Sequence, residues 1–391
     1  MDVENEAVYT LAAQESLGET DHRRVVGLEK LLHAPEDRRA PRLRSRAPEI
    51  ARRLLARLSP SPSPTEDAFA RLSALVAPEM EAVNRLIRER MASEHAPRIP
   101  ELSAHLIEAG GKRLRPVLTL AAAKLCGYEG EDQVKLAAAV EFIHTATLLH
   151  DDVVDESDKR RGRPTANILF GNQQSVLVGD YLFARSFRLM VETGRLRVLD
   201  ILADASAVIA EGEVLQLTAQ HDLSGGEPRY FQVIRGKTAA LFAAAAEVGG
   251  VVAGAPEAEV DALRDYGDAL GIAFQLVDDM LDYGGEAARM GKNVGDDFRD
   301  GKATLPVLLA YAAGDEAERA FWRRVIEEHE QGPGDLERAL DLLRRHDALG
   351  RTRARAEEWG ARAAGALDLF PAQPVREALR DVVGFVISRA N

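Results

Sequence analysis

Two acidic pentads, each closing an apolar helical run, constrain this chain more than any other feature. The first, Asp151-Asp152-Val153-Val154-Asp155, follows a stretch without charge between Glu141 and His150. The second, Asp278-Asp279-Met280-Leu281-Asp282, follows Ile272-Ala273-Phe274-Gln275-Leu276-Val277. At 3.6 residues per turn, Asp155 falls about 40° from Asp151 around a helix axis, and His144 about 20° to the other side. Carboxylates this close repel one another and are costly to strip of water, so the pattern asks for a cation between them. Oxygen ligands favour a hard ion, and so sparse a set favours Mg²⁺ shared with phosphate groups. A solvated acidic helix end would explain either pentad alone. It does not explain two whose first aspartates stand 127 residues apart, on separate helices free to face each other across a cavity.

The rest of the chain supplies such helices. Apolar positions recur at three and four, alanine is abundant and β-branched alternation is missing. The spacing predicts helices over 64–92, 98–109, 116–126, 133–156, 174–191, 197–219, 228–250, 257–283, 304–313, 316–329, 334–346, 350–368 and 373–389, an all-α bundle around a central cavity. The first is expected to open with Ser63 as N-cap, Pro64 at the first position and Glu66 closing a capping box. Nothing approaches 18 consecutive apolar residues, so no bilayer span is expected. The net charge of −13 argues against a nucleic-acid surface, so local basic clusters need a local purpose. The single cysteine, Cys126, excludes an internal disulfide, fits a reducing cytoplasm and reads as a small core residue; a zinc site is not expected.

Residues 1–64 read as an N-terminal extension and linker, and 65–391 as the catalytic domain. The start is acidic, with no apolar core of a signal peptide. Arginines then crowd between Arg38 and Arg57, beside a short apolar stripe of Ile50, Leu54, Leu55 and Leu58 that could touch a membrane surface. The composition predicts a disordered segment without assigned function, ending in the stiff linker Ser59-Pro60-Ser61-Pro62-Ser63-Pro64.

Three basic stretches accompany the pentads. Gly110-Gly111-Lys112-Arg113-Leu114-Arg115-Pro116 interrupts the helical pattern; its glycines allow close backbone approach to an anion, and Lys112 and Arg115 could converge on one phosphate. Lys159, Arg160, Arg161 and Arg163 follow the first pentad, the donors a diphosphate would need. Gly236-Lys237-Thr238 lies inside a long apolar helix; a phosphate-binding nucleotide loop would need glycine where Phe231 stands and a preceding strand, so nucleotide binding is rejected. After the second pentad, glycines and charges between Gly291 and Lys302 mark a mobile loop, either a solvated turn or a lid.

With its paired DDxxD pentads and its GGKxxRP stretch, the chain resembles the trans-isoprenyl diphosphate synthases from roughly Phe69 to the C-terminus. Within them it is most similar to the long-chain branch that makes octaprenyl, solanesyl or decaprenyl diphosphate. The resemblance implies the isoprenoid synthase fold, a homodimer, and repeated condensation of an allylic primer with isopentenyl diphosphate, for a quinone side chain. It implies that Lys112, Arg115, His144 and Arg161 hold isopentenyl diphosphate. Arg160, Lys237, Thr238 and Gln275 would hold the allylic diphosphate, with Lys292 and Lys302 covering it. Three Mg²⁺ ions per site are expected on Asp151, Asp155 and Asp278. Asp152 and Asp279, about 100° off that face, would support the metal shell, and Asp282 would reach metal through water. Membrane contact is expected only at the periphery, for product release.

The growing chain should run away from the metals along the helix upstream of Asp151. Ala139, Ile143 and Ala146 form one strip at about −120°, −80° and −140° from Asp151, with Thr147 on its border at about −40°. No aromatic ring stands in that strip. Short-chain members of the family place a bulky ring four or five residues before the first aspartate, where this chain has Thr147 and Ala146, so eight to ten isoprene units are expected. Four other readings compete: a terpene cyclase or a head-to-head synthase, neither with a use for an isopentenyl site; a non-catalytic partner subunit, which would be free to lose the pentads; and a helical metal-binding protein whose affinity ignores diphosphate.

Overall fold

A computed structural model of the chain describes residues 66–93, 96–102, 112–160, 163–284 and 294–389. The N-terminal extension with its stripe and cap, Gly110, Gly111, Arg161 and Lys292 all lie outside the described residues.

The architecture is helical, as the periodicity predicts. In chain order the helices are α1 (Glu66–Leu75), α2 (Ala77–Met91), α3 (Leu114–Leu125), α4 (Asp132–Val154), α5 (Ala166–Phe170), α6 (Asn172–Val191) and α7 (Leu196–Ala219). They continue as α8 (Gly226–Ile234), α9 (Ala240–Ala253), α10 (Glu257–Tyr283), α11 (Asp296–Arg299) and α12 (Leu305–Ala313). The last four are α13 (Glu316–Trp322), α14 (Asp335–Arg345), α15 (Ala348–Ala366) and α16 (Pro374–Ser388). One antiparallel ladder of two-residue strands pairs Lys159 with Pro164 and Arg160 with Arg163, which the helical pattern does not anticipate.

Three expectations are corrected. The single helix expected over 64–92 breaks at Val76 (φ −122°, ψ 16°), because Pro78 has no N–H to donate and is accommodated at the start of a new helix. Helix α3 begins at Leu114, two residues before Pro116, after Arg113 adopts a left-handed conformation (φ 51°). The helix expected over 228–250 runs from Gly226 to Ala253 but widens into a π-helical turn at Arg235–Ala239. By length and composition that continuous run could cross a membrane, yet 78% of its apolar window is buried inside the fold.

Two apolar clusters build the interior, one centred on α1–α4, α6, α7, α9 and α16, the other on α8, the C-terminal half of α10 and α12–α15. The α8–α9 run joins them through close crossings. At Gly212 of α7 a Cβ would stand 2.6 Å from the backbone nitrogen of Lys237, and at Gly236 it would stand 2.9 Å from the Gly212 Cα. At Gly267 and Gly271 of α10 a Cβ would come within 2.4 Å of the Phe242 carbonyl and 2.6 Å of the Ala239 Cα. Backbone atoms cannot swing aside, so only glycine permits these approaches. Cys126, at the end of α3, is partly buried, and burial pushes its thiol up to about 12, leaving it an unreactive packing residue.

Candidate active site

The C-terminal halves of α4 and α10 converge on a cavity of about 610 Å³. Its walls carry Asp151, Asp155 and Arg160 from one side, Lys237 and Thr238 from the π turn, and Gln275, Asp278 and Asp279 from α10, with Asp297 and Lys302 from the segment after α10. The two pentads therefore face one space.

Within each pentad the aspartates divide. Asp152 does not line the cavity; it is fully buried and accepts two hydrogen bonds on Oδ1 from Arg160, from Nε at 3.0 Å and Nη2 at 2.8 Å. Asp279 is buried, accepting on Oδ2 from the Tyr230 hydroxyl at 2.6 Å and on Oδ1 from Gln275 Nε2 at 2.7 Å. Asp282, also off the cavity wall, accepts from the backbone N–H groups of Asp296 and Asp297 at 3.2 and 3.1 Å. Among the described residues no side-chain hydrogen bond reaches Asp151 or Asp155, and burial pushes Asp151 up to about 7, Lys237 nearby opposing the rise. Asp278 lies 3.9 Å from Arg389 at the end of the chain.

The π turn sets the lysine. One extra residue per turn redirects the side chains that follow, a device frequent at functional sites. Here it follows the Gly212–Gly236 crossing, so the residues after each glycine meet: Lys237 Nζ donates to Glu213 Oε2 at 2.9 Å. Thr238 donates to Gln275 Oε1 at 2.8 Å, extending a chain of donors through Gln275 to Asp279. Lys302 pairs with Asp297 at 3.2 Å and Asp300 at 2.9 Å, contacts that hold it above its ordinary pKa despite burial.

Lys112, Arg115 and His144 lie outside the cavity lining, and Arg115 and His144 meet. Arg115 Nη1 approaches His144 Nε2 at 3.2 Å, which makes that ring nitrogen the acceptor because guanidinium only donates. The guanidinium lies 4.4 Å over the Phe242 ring, and burial draws its pKa down to about 10, leaving it charged. Lys112 sits 4.4 Å over the Phe385 ring of α16. Phe242 meets Phe274 at 5.6 Å, and Arg389 lies 5.1 Å over Phe274, so two rings separate this basic group from the second pentad. Ala139, Ile143 and Ala146 are fully buried and Thr147 half-buried, all behind the lining of this cavity, and Leu148 is the α4 residue that meets it just upstream of Asp151.

Sequence reasoning misses Glu213, Tyr230 and Asp297. Tyr230 stands seven residues before Lys237, two turns along the helix, a spacing that could have flagged it. Glu213 gives no such sign, because its partner lies across a helix crossing.

The donor set fits a divalent cation. Hard carboxylate oxygens from two helices face one space, and Asp151 is destabilised in its charged form. Among the described residues no three acidic or imidazole groups come together closely enough to cage an ion unaided, so phosphate oxygens would have to complete its shell. The pH dependence follows in sign. Asp151 titrates near 3.8 unfolded and near 7 folded, so between those values the folded state holds the extra proton and stability falls as pH rises. In chelator, Asp151→Asn should therefore raise the melting temperature over wild type more at pH 8 than at pH 5. Mg²⁺ with inorganic diphosphate should shrink or reverse the gain. A gain independent of pH in thermal scans would remove Asp151 as the strained group.

Against known proteins, the polyprenyl synthetase profile matches residues 96–343. The octaprenyl diphosphate synthase of Escherichia coli (strain K12) is 46% identical over 321 residues, 82% of this chain and 98% of that protein. The crystal structure of a decaprenyl diphosphate synthase from Rhodobacter capsulatus superposes with a TM-score of 0.81 at 65% identity, over 83% of this chain and 99% of that one. A polyprenyl synthase from Caulobacter crescentus CB15, solved in complex with calcium and isoprenyl diphosphate, superposes with a TM-score of 0.79 at 54% identity, over 83% and 98%. This chain is accordingly an all-α prenyltransferase and belongs to the polyprenyl synthetase family.

Proposed function

We propose that the protein is a long-chain all-trans polyprenyl diphosphate synthase that condenses an allylic diphosphate repeatedly with isopentenyl diphosphate. The observation that carries this reading is the pair of acidic pentads on one cavity with a basic group two aromatic rings away. A cyclase or a head-to-head synthase leaves Lys112, Arg115 and His144 without a task, and a bare metal-binding protein leaves all the cations without one.

Asp151, Asp155 and Asp278 are the residues to hold Mg²⁺, three ions in the full complex. Bound there, the metal would neutralise charge growing on the leaving diphosphate as the allylic carbon–oxygen bond breaks. Arg160, Lys237 and Lys302 on the same walls face that charge, and Thr238 and Gln275 orient it. The apolar interior keeps water from the allylic cation while the double bond of isopentenyl diphosphate attacks it; the new cation then loses a proton to the departed diphosphate, which restores a double bond. Arg115 and His144, with Lys112, hold the diphosphate of that second substrate. Arg115→Ala should raise the KM for isopentenyl diphosphate about tenfold or more with little change for the allylic primer, and Lys237→Ala should do the reverse. Equal changes in initial-rate kinetics for both substrates would show that the two sites are wrongly divided.

Eight to ten isoprene units is the proposed product, supported by the likeness to octaprenyl and decaprenyl synthases and by the small residues upstream of Asp151. An extended isoprene unit spans roughly one helical turn, about 5 Å, so the strip of buried Ala139, Ile143 and Ala146 with half-buried Thr147 has the pitch to meter the chain. Ala146→Phe should overfill that strip and stop synthesis several units short, with primer consumption little changed. Chromatography of the dephosphorylated products decides: a wild type stopping at three or four units, or a mutant matching wild type, sinks the reading.

A homodimer is the proposed assembly. Leu177, Phe187 and Val191 on α6 and Val214 on α7 are exposed apolar side chains outside the cavity, the residues a second copy would cover. Leu177→Asp should shift the protein from dimer toward monomer in sedimentation velocity; a wild type that is monomeric at micromolar concentration excludes the dimer.

A further inference from the structure

Helix α11 is only four residues long, yet it carries Asp297 and leads to Lys302, both on the cavity wall. A helix this short has no interior. Its N–H and C=O groups are nearly all without helical partners and would ordinarily turn to water. At its N-terminal end the Asp282 carboxylate takes the N–H groups of Asp296 and Asp297, and Gly295 N–H donates to the Asp282 carbonyl at 2.8 Å. At the other end, three successive carbonyls each receive a different side chain. Gln331 Nε2 donates to Phe298 at 2.7 Å, His329 Nε2 donates to Arg299 at 2.8 Å, and Gln220 Nε2 donates to Asp300 at 3.1 Å.

These donors come from two separated places in the chain, the end of α7 and the turn before α14, and they are fixed to one another. The His221 and His329 rings meet at 4.7 Å, and His221 Nδ1 donates to the Ile326 carbonyl at 2.9 Å. Both histidines adopt left-handed backbone conformations, φ 64° and 54°, which side-chain-bearing residues keep only where the surroundings hold them. Gly301 (φ 66°) passes beneath; a Cβ there would stand 2.4 Å from the His221 ring. Partly exposed carbonyls have water available, so three protein donors on three consecutive residues contribute position more than satisfaction.

We infer that Gln220, His329 and Gln331 are positioning residues of the diphosphate site, clamping the segment 296–302 so that Asp297 and Lys302 stand in the cavity. The inference rests on the reading that the cavity binds the allylic diphosphate. Releasing the clamp frees Lys302 from its place between Asp297 and Asp300 and withdraws a cation from the leaving group. It leaves Arg115 and His144, on α3 and α4, untouched.

The test uses the full chain with Gln220→Leu/Gln331→Leu, with His329→Leu, and with His329→Gln, which keeps an N–H donor. Hydrogen–deuterium exchange of the ligand-free protein should rise about tenfold or more across 295–302 in the first two variants and stay near wild type in the third. Calorimetry should show weaker binding of inorganic diphosphate with Mg²⁺. In turnover, the KM for the allylic primer should rise about tenfold while that for isopentenyl diphosphate changes less than about twofold. Unchanged exchange, equal shifts in both KM values, or no rescue by His329→Gln overturns the clamp. A wild type that makes no polyprenyl product overturns the reading of the cavity instead, and the exchange rates then still support or overturn the clamp by themselves.

Discussion

Burying carboxylates in an apolar bundle is the constraint around which the structure is arranged. Each pentad brings three aspartates to a helix end, and burial disfavours the charged form at Asp151, Asp279 and Asp282. The fold disposes of half of them internally. Asp152 receives Arg160, Asp279 receives Tyr230 and Gln275, and Asp282 receives two backbone N–H groups. Asp151 and Asp155 have no such hydrogen-bond donor among the described residues, and burial pushes Asp151 up to about 7. Asp152 and Asp279 are thus spent on contacts inside the protein, while Asp151 and Asp155 line the cavity with no side-chain hydrogen bond among the described residues.

The second constraint is geometric. A lysine reaches the cavity only because α7 and the π turn touch at Gly212 and Gly236, where a single methyl group would collide with backbone. The contact places Glu213 beside Lys237 and aims the ammonium across the opening. Gly267 and Gly271 hold α10 equally close to α9, which brings Gln275 within reach of Thr238. Packing at glycines, far from any charge, thereby sets distances among the charged groups.

Much of this was legible in the sequence, for a physical reason. A helix writes its face into the chain every three or four residues, so the pentads, the bundle and Gln275 one turn before Asp278 could be read by counting, while Lys237 and Thr238 are joined to Gln275 only through the family resemblance. What could not be counted was anything made across an interface. Glu213 meets Lys237 from another helix, Arg160 turns to Asp152 through a two-stranded ladder, and Phe242 lies under Arg115 from α9. The π turn is invisible to a periodicity that assumes 3.6 residues per turn. The segment from Gly291 to Lys302 reads as a mobile loop, a solvated turn or a lid, because glycine and charge are dense there. In the folded protein its residues 295–302 are tied at both ends by groups 13 to 80 residues away in sequence, which no local signal reports.

A common pattern joins three cations of the cavity. Arg160 is paired with Asp152, Lys237 with Glu213, and Lys302 with Asp297 and Asp300. Each would be a flexible side chain costly to order at the moment of binding, and its carboxylate orders it beforehand. The same carboxylates compete with an incoming diphosphate, because a cation divided between two anions holds each less tightly. For an enzyme that must release diphosphate after every condensation and then accept the lengthened chain's own diphosphate, moderate grip is the useful condition. On the proposed reading, unpaired cations would hold the leaving group and the product alike more tightly, so the pairs favour both placement and release.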